Sequence, residues 1–317
     1  MSPTRPAALL LLAAPVLLLA SDAKPLADVK RATVIDAAGK EFALQKWKVT
    51  GGVRKLAFLE GDAKNTEAFE LREIGSTTFR EGIVTLVPLR RIEAIEYDYD
   101  KQMVSVRVAG LEKPLQGTTK FKDINTITLE AEVDQGNAGV AELRYRGGVP
   151  KGGIRAVRFA GPKAPEAPPK GEVFSLTVPP EGKGQNPTVQ QVTNLQALYR
   201  TGGGVEKRLP YLIFKKTLKV ELANVRTMHV GDYDVKARTA ECEVELKDGS
   251  QLSVTLLTSA TIDEKPAALL GLIGEVPAGY KLFPIHTVTD WQPGEVKAPE
   301  PKEVPKKEPK KGKEDKP

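Results

Sequence analysis

The chain has 317 residues, of which 40% are apolar and 28% are charged, and Lys plus Arg exceed Asp plus Glu by six. This composition is typical of a globular protein with about two domains of ~150 residues each. A single cysteine excludes an internal disulfide framework, zinc fingers and cysteine-ligated iron–sulfur clusters, and two histidines leave little material for a histidine-rich metal centre, so we predict no cofactor.

The N-terminal residues 1–23 have the pattern of a secretory signal peptide. Arg5 supplies a positive charge before the 14-residue apolar run Ala7–Ala20, and small residues follow near the cleavage point. The run is shorter than the roughly 20 residues that cross a bilayer as a helix. We therefore predict cleavage before Lys24 and export to the periplasm, the envelope or the extracellular space, with no membrane span left after signal removal. An uncleaved anchor is the alternative.

Two Pro-rich segments divide the rest of the chain. Residues 161–171 (GPKAPEAPPKG) contain four prolines and no large apolar side chain, which predicts an extended linker. Residues 293–317 consist almost wholly of Pro, Lys and Glu, and such a segment buries too little apolar surface to fold. We predict a disordered tail there. Its lysines could tether it to an anionic envelope polymer, or the tail could simply keep the chain soluble.

The regions 24–160 and 172–292 share a series of short matches in the same order, which indicates an internal duplication. The pairs are Thr50–Leu56 with Thr201–Leu209, Val87–Ile92 with Val220–Val225, Asp98–Asp100 with Asp232–Asp234, Val149–Gly152 with Val276–Gly279, and Ile154–Val157 with Ile285–Val288. The spacing between the first two matches implies about 20 extra residues in the first copy, which we assign to the polar stretch 60–82.

Each copy alternates apolar and polar residues with a period of two, as half-buried β-strands do. The clearest examples are Val104–Val108 in the first copy and Cys242–Leu246 in the second. Ala37–Lys40 and Lys247–Ser250 place a glycine where a hairpin turn needs one, and only Lys265–Ile273 has some helical character. We predict an all-β fold of two tandem, duplicated antiparallel β-sandwich or partly open β-barrel domains.

Cysteine and histidine are scarce and the sequence contains no catalytic motif, so we predict no catalytic residue. Cys242 alternates in step with Val244, so it should be buried, and its flanking glutamates would raise its pKa. His229 and His286 have no second histidine at metal-ligand spacing. Gly202–Gly204 lacks the Lys and Ser or Thr of a phosphate loop and is interpreted as a hairpin turn or bulge.

The repeated Asp-Tyr-Asp sequence is the sharpest candidate for a metal site. Residues two apart share one face of a strand, so Asp98 with Asp100, and Asp232 with Asp234, could converge on a calcium ion. Calcium takes six to eight oxygen ligands, which is more than these carboxylates supply. The alternative is a polar turn in which the aspartates accept hydrogen bonds from nearby backbone.

These features favour an exported, non-enzymatic binding or scaffolding protein of the cell envelope or the extracellular space. Its partner is unknown, and an anionic envelope polymer or another exported protein is suggested by the modest positive charge. Nucleic acid is not expected, because the basic residues form no concentrated stripe. The alternative is an exported hydrolase with a site between the two domains, built from residues present in one copy only: His229, His286 and Asp290.

Overall fold

The computed structural model describes residues 31–44, 46–56, 67–72, 82–120, 124–134, 136–149, 153–162, 169–179 and 186–295. The predicted signal peptide, most of the predicted linker and nearly all of the predicted tail lie outside these residues. The described chain consists almost entirely of β-strands joined by turns and short 3-10 helices, and its strands pair antiparallel. The predicted all-β, antiparallel class is therefore confirmed.

Of the described residues, twelve strands precede the linker: β1 (Arg31–Asp36), β2 (Glu41–Leu44), β3 (Trp47–Gly51), β4 (Val53–Lys55), β5 (Glu67–Leu71), β6 (Val84–Pro88), β7 (Ile92–Asp98), β8 (Met103–Val108), β9 (Leu115–Thr118), β10 (Thr128–Asp134), β11 (Val140–Arg146) and β12 (Ile154–Ala160). The strands found in the described region after the linker are β13 (Val173–Val178), β14 (Thr188–Thr201), β15 (Glu206–Leu209), β16 (Tyr211–Ile213), β17 (Lys219–Glu221), β18 (Val225–Asp234), β19 (Thr239–Leu246), β20 (Gln251–Leu257), β21 (Ser259–Ile262), β22 (Lys265–Val276), β23 (Gly279–Phe283) and β24 (Asp290–Pro293).

The first half packs two sheets around one apolar cluster. One sheet has the strand order β2-β1-β12-β7-β8-β9, and the other has the order β11-β10-β3. Val104, Val106 and Val108 of β8 share this cluster with Leu129 and Val133 of β10, and all five side chains are buried. The alternation predicted for β8 thus places its valines between the two sheets, because successive side chains of a strand point to opposite faces.

The second half repeats this strand order. Its sheet contains the neighbouring strands β14-β13-β24-β18-β19-β20, which correspond one by one to β2-β1-β12-β7-β8-β9. In both orders the first two strands of the half form a hairpin, the last strand of the half lies beside them, and three strands that follow one another in the chain complete the series. A 3-10 turn precedes the fourth strand in both halves, at Leu89–Arg91 and at Leu222–Asn224. Cys242 and Val244 point into a separate apolar cluster together with Trp291.

The halves are joined by strand pairing across the linker. β6 pairs with β23, so that β4, β5 and β6 extend the sheet of the second half. A third apolar cluster covers this junction, with Leu56 and Leu86 from the first half packed against Leu198 and Leu282 from the second. The stretch 60–82, interpreted as a polar insertion, contains β5 within it, and Ala68, Phe69 and Leu71 of that strand are buried. That polar interpretation is wrong for β5.

The helical character assigned to Lys265–Ile273 is also wrong. These residues belong to β22, which pairs with β14 on one side, with β23 on the other and with β21 near its start. A strand that is central in a sheet and covered on both faces is a continuous apolar run without alternation, which resembles a buried helix in sequence. The pairing on both edges decides in favour of the strand.

The predicted turns are confirmed. The turn between β1 and β2 contains Gly39 with φ +84°. In this turn the Asp36 side chain accepts a hydrogen bond from the Lys40 backbone at 2.8 Å. The turn between β19 and β20 contains Gly249 with φ +89°. Gly202–Gly204 joins β14 to β15 as a hairpin turn. A search of the described residues for a helix long and apolar enough to cross a membrane finds none.

Candidate functional site

The exposed face of the second-half sheet holds a cleft lined by titratable and hydrogen-bonding side chains. A cleft of about 470 Å³ runs across β13, β24, β18 and β19. Polar side chains project into it because the opposite side chains of each strand are committed to the apolar cluster. They include Ser175, Thr177, Thr227, His229, Glu243, Glu245, Gln251, Asp290 and Gln292.

His229 and Asp290 form a pair at the centre of this face. The two residues lie opposite each other on β18 and β24, and His229 Nδ1 is 2.8 Å from Asp290 Oδ1. Both side chains are about half exposed, at 57% and 51%. A carboxylate on Nδ1 orients the ring and leaves Nε2 available to solvent, which is the arrangement a general base requires.

Hydroxyl groups on β20 donate to glutamates, whereas Ser175 Oγ in the cleft donates to the Gly294 carbonyl at 2.8 Å. Ser253 Oγ donates to Glu243 at 2.9 Å, and Thr255 donates to Glu241 at 3.0 Å. Glu243 lies directly opposite His229 in the strand register. A serine nucleophile would instead need its hydroxyl hydrogen-bonded to the imidazole. The geometry therefore suits an array of hydrogen-bonding groups for a ligand better than nucleophilic catalysis.

His286 lies apart from the pair. It belongs to the 3-10 turn Ile285–Thr287 before β24, and its ring centroid is 6.1 Å from that of Tyr233. It does not line the cleft that contains His229. Of the three residues grouped for a hydrolase, the structure brings together His229 and Asp290, on one sheet of the second half.

The repeated aspartates lie at hairpin turns. Asp98 accepts a hydrogen bond from the Lys101 backbone at 3.0 Å and forms an ion pair with the Lys101 ammonium at 2.8 Å. The hydrogen bond from the Lys101 side chain, and then the one from its backbone, hold the pKa of Asp98 below its usual value. Asp234 accepts backbone hydrogen bonds from Lys236 and Ala237 at 2.8 and 2.9 Å. Both carboxylates stabilise turns.

When the two hairpins are aligned by their turns, Asp98 corresponds to Asp234, two residues beyond the Asp232 with which the sequence repeat pairs it. Asp98 lies opposite Met103 and Asp234 lies opposite Thr239, so Asp98 and Asp234 occupy the same hairpin position. Asp100 follows in the first turn, whereas Asp232 precedes its turn within β18. Among the described residues, no three His, Cys, Asp or Glu side chains are grouped so that they could hold a metal ion.

The predicted burial of Cys242 is confirmed. The residue is 1% exposed, and its thiol donates to the Ala240 carbonyl at 3.6 Å. Burial raises the pKa of the Cys242 thiol to about 12, and the charges of Glu241 and Glu243 add to the rise. A thiol of this kind is not a nucleophile near neutral pH, since the thiolate is the reactive form.

We expect Cys242 to resist alkylation in the native protein. At pH 8 its labelling by iodoacetamide should be at least about tenfold slower than in urea, because unfolding restores both access and an ordinary thiol pKa. The native rate should stay low as the pH rises to about 10, while the rate in urea rises with thiolate formation. Equal rates in both conditions would contradict the buried placement.

The corresponding face of the first half carries arginines. Arg107 and Arg158 lie on either side of Ala94, on the two strands that flank β7. Their side chains are 57% and 55% exposed, and they contact Glu96 at 3.8 Å and Glu41 at 3.2 Å. A wider cleft of about 820 Å³ adjoins Arg158. No sequence motif marks these arginines, because they are 51 positions apart in the chain and only the strand order places them side by side.

The two faces differ in charge at equivalent positions. Arg107 and Glu245 each lie opposite the third residue of the strand that follows the 3-10 turn, Ala94 in the first half and Thr227 in the second. An arginine in one half is therefore a glutamate in the other. The same strand order thus presents a more basic face in the first half and a more acidic face in the second.

No family model, curated protein or solved structure matches the chain. The candidate sites are consequently assigned from geometry and chemistry. The two that the geometry supports are the cleft at His229 and Asp290 and the face at Arg107 and Arg158.

Proposed function

We propose that this chain is an exported, non-enzymatic protein of the cell envelope or the extracellular space that binds or scaffolds through the exposed faces of its two largest sheets. Export is inferred from the pattern of residues 1–23. The observation that carries the binding function is a pair of equivalent polar faces, one with exposed arginines on the sheet β2-β1-β12-β7-β8-β9 and the other with glutamates on the sheet of the second half.

We also infer that the two halves are copies of one duplicated β-domain. The shared strand order supports this, as do the matching 3-10 turns and the matching hairpins after β7 and β18. Gln102 and Arg238 take positive φ values of 53° and 56° at the same hairpin position.

An anionic polymer is the partner that best fits the first face. Arg107 and Arg158 lie two strands apart, roughly 10 Å, with the small Ala94 between them. Their ion pairs with glutamates are exposed, and such pairs contribute only about 0–1 kcal/mol, so a polyanion can replace them. Both guanidinium groups offer the forked donors that bind sulfate, phosphate or carboxylate oxygens.

The test uses dextran sulfate as a defined polyanion, with unsulfated dextran as the uncharged reference. The double variant Arg107→Ser/Arg158→Ser should bind dextran sulfate about tenfold more weakly at low salt, because two charge-assisted contacts are lost. Binding should be measured by interferometry, and the difference between the variant and the unsubstituted chain should shrink as salt is added, since exposed charges are screened.

The matched control removes two positive charges elsewhere. Lys215 and Lys236 are exposed on the second half, and Lys215→Ser/Lys236→Ser makes the same change in net charge. This control should bind nearly as well as the unsubstituted chain. Equal loss in both double variants would mean that only net charge matters, and no binding by the unsubstituted chain would reject the polyanion as partner.

A hydrolase is the second candidate, and the 2.8 Å contact between His229 and Asp290 in an open cleft is the observation that favours it. A variant without either histidine separates the two functions when its binding and its hydrolytic activity are both measured. The variant His229→Ala/His286→Ala should bind dextran sulfate unchanged if the protein acts only by binding. A hydrolytic activity that this folded variant has lost would overturn the non-enzymatic proposal.

A further inference from the structure

β11 forms one outer edge of the three-stranded sheet. It pairs with β10 at seven consecutive positions, from Val140 to Arg146, and within the described residues no strand lies on its other side. Val140 at its start is 59% exposed. An edge strand presents N–H and C=O groups that can pair with a strand from another chain.

The second half covers the corresponding edge. The two halves can be compared residue by residue by following the strand pairings outward from β1 in the first half and from β13 in the second. In this comparison, Glu142–Arg144 of β11 correspond to Tyr280–Leu282 of β23. Tyr280–Leu282 pair with Val84–Leu86 of β6. Within the part of the chain that the structure describes, this edge is therefore covered by strand addition in one half and has no strand beside it in the other.

We propose that the outer edge of β11 binds β11 of a second copy of this chain, antiparallel, about a two-fold axis at Leu143. In this register Glu142 lies opposite Arg144 of the second copy, and the same pair repeats across the axis. A register centred on residue 142 or 144 would place two glutamates or two arginines directly opposite each other, which is unfavourable. The charges of β11 thus favour the two-fold register at Leu143 over those centred on its two neighbours.

The other face of β11 is complementary too. Ala141, Leu143 and Tyr145 are half-buried, and Leu143 and Tyr145 pack against the first apolar cluster. Across the axis Leu143 meets Leu143, and Ala141 meets Tyr145, so the pairing covers their exposed parts. The contact is isologous and closes as a dimer, joining the two three-stranded sheets into one six-stranded sheet.

A head-to-tail alternative fits less well. In the second half, β16 and β17 take the place of β5 and β6, and their hairpin would have to pair with β11 of the next copy. β17 carries Lys219 where β6 carries the buried Leu86. A lysine on an edge strand opposes such pairing, so the two-fold contact is favoured over an open chain of copies.

The experiment is sedimentation of the purified chain over a range of concentration to about 0.5 mM, where a weak dimer with a micromolar dissociation constant is fully formed. Two single variants each create like-charge contacts across the axis: Glu142→Arg and Arg144→Glu. Each should weaken self-association at least tenfold. Glu142 lies opposite Glu132 on β10, so Glu142→Arg removes an unfavourable contact within its own sheet and should not disturb folding.

Mixing the two single variants provides the decisive readout. In a mixed dimer every position opposite an arginine is a glutamate, so the 1:1 mixture should associate although neither variant does so alone. The double variant Glu142→Arg/Arg144→Glu should also dimerise. A chain that stays monomeric throughout, or a mixture that associates no better than its components, would overturn the proposal.

Discussion

Replacing Glu206 with alanine should lower the free energy of unfolding by about 3 kcal/mol, since the largely buried guanidinium of Arg54 then keeps only its longer contact with Glu70, at 3.8 Å. The Glu206 side chain is 6% exposed and lies between Arg54 of β4 and Arg200 of β14. Arg54 donates to both of its carboxylate oxygens, at 2.5 and 3.3 Å, and Arg200 donates at 2.8 Å. Urea denaturation followed by circular dichroism measures the loss.

An exposed ion pair supplies the control for this prediction. Glu41 pairs with Arg158 at 3.2 Å, but both side chains are more than half exposed. Glu41→Ala should therefore cost at most about 1 kcal/mol. The double variant Arg54→Met/Glu206→Leu should recover much of the stability lost in Glu206→Ala, because it removes both charges together. Losses that are equal for Glu206→Ala and Glu41→Ala would contradict the buried network.

The position of Glu206 makes this a test of the junction between the halves. Arg54 belongs to the first half and Glu206 to the second, beside the apolar cluster that contains Leu56 and Leu198. If the junction holds the halves together, the chain should unfold in a single transition. Glu206→Ala should then shift that whole transition, because the ion pair forms only when β4 lies against the second half.

The sequence predicted those elements whose two faces have different environments. Val104–Val108 and Cys242–Leu246 alternate because one face of each strand lies in an apolar cluster and the other meets solvent. Turn chemistry was equally readable at Gly39 and Gly249, where positive φ favours glycine. In these places local sequence and tertiary environment carry the same information.

Elements that depend on pairing with strands distant in the sequence could not be predicted from their own residues. β22 is buried without alternation over Gly271–Gly274, and its Ala, Leu and Gly residues are compatible with a helix until β14 and β23 are placed beside it. The repeat is matched two residues out at Asp232 because the β18–β19 hairpin is longer than the β7–β8 hairpin, and one of its extra residues is taken up by an irregular register between Val230 and Tyr233. An irregularity of that kind shifts position without changing the local residue pattern.

The candidate sites show the same division. His229 and Asp290 were each recognisable as residues present in one copy only, but 61 residues of chain separate them. Their contact follows from the return of the last strand, β24, to lie between β13 and β18. The arginine face follows from the equivalent placement of β12 beside β7. Strand order is a property of the whole fold, and single segments do not encode it.

Gly279→Ala is the second substitution expected to have a large effect, and it should lower the free energy of unfolding by about 3 kcal/mol, the sum of backbone strain and overpacking. Gly279 begins β23 with φ +151°, a conformation that side chains rarely adopt. A Cβ atom there would lie 2.3 Å from the Leu86 carbonyl oxygen and 2.7 Å from Pro88 Cδ. Both atoms belong to β6, so the clash falls on the junction between the halves.

Gly204→Ala separates strain from clash. Gly204 has φ +81° in the turn after β14, and a Cβ atom there meets nothing within 4 Å. This control should lose about 1 kcal/mol from strain alone. In Gly279→Ala, amide hydrogen exchange should also quicken along β6 and β23, because the strands must separate to admit the methyl group. Similar losses in the two variants, with unchanged exchange in β6, would show that β6 and β23 are not in the close contact that joins the halves.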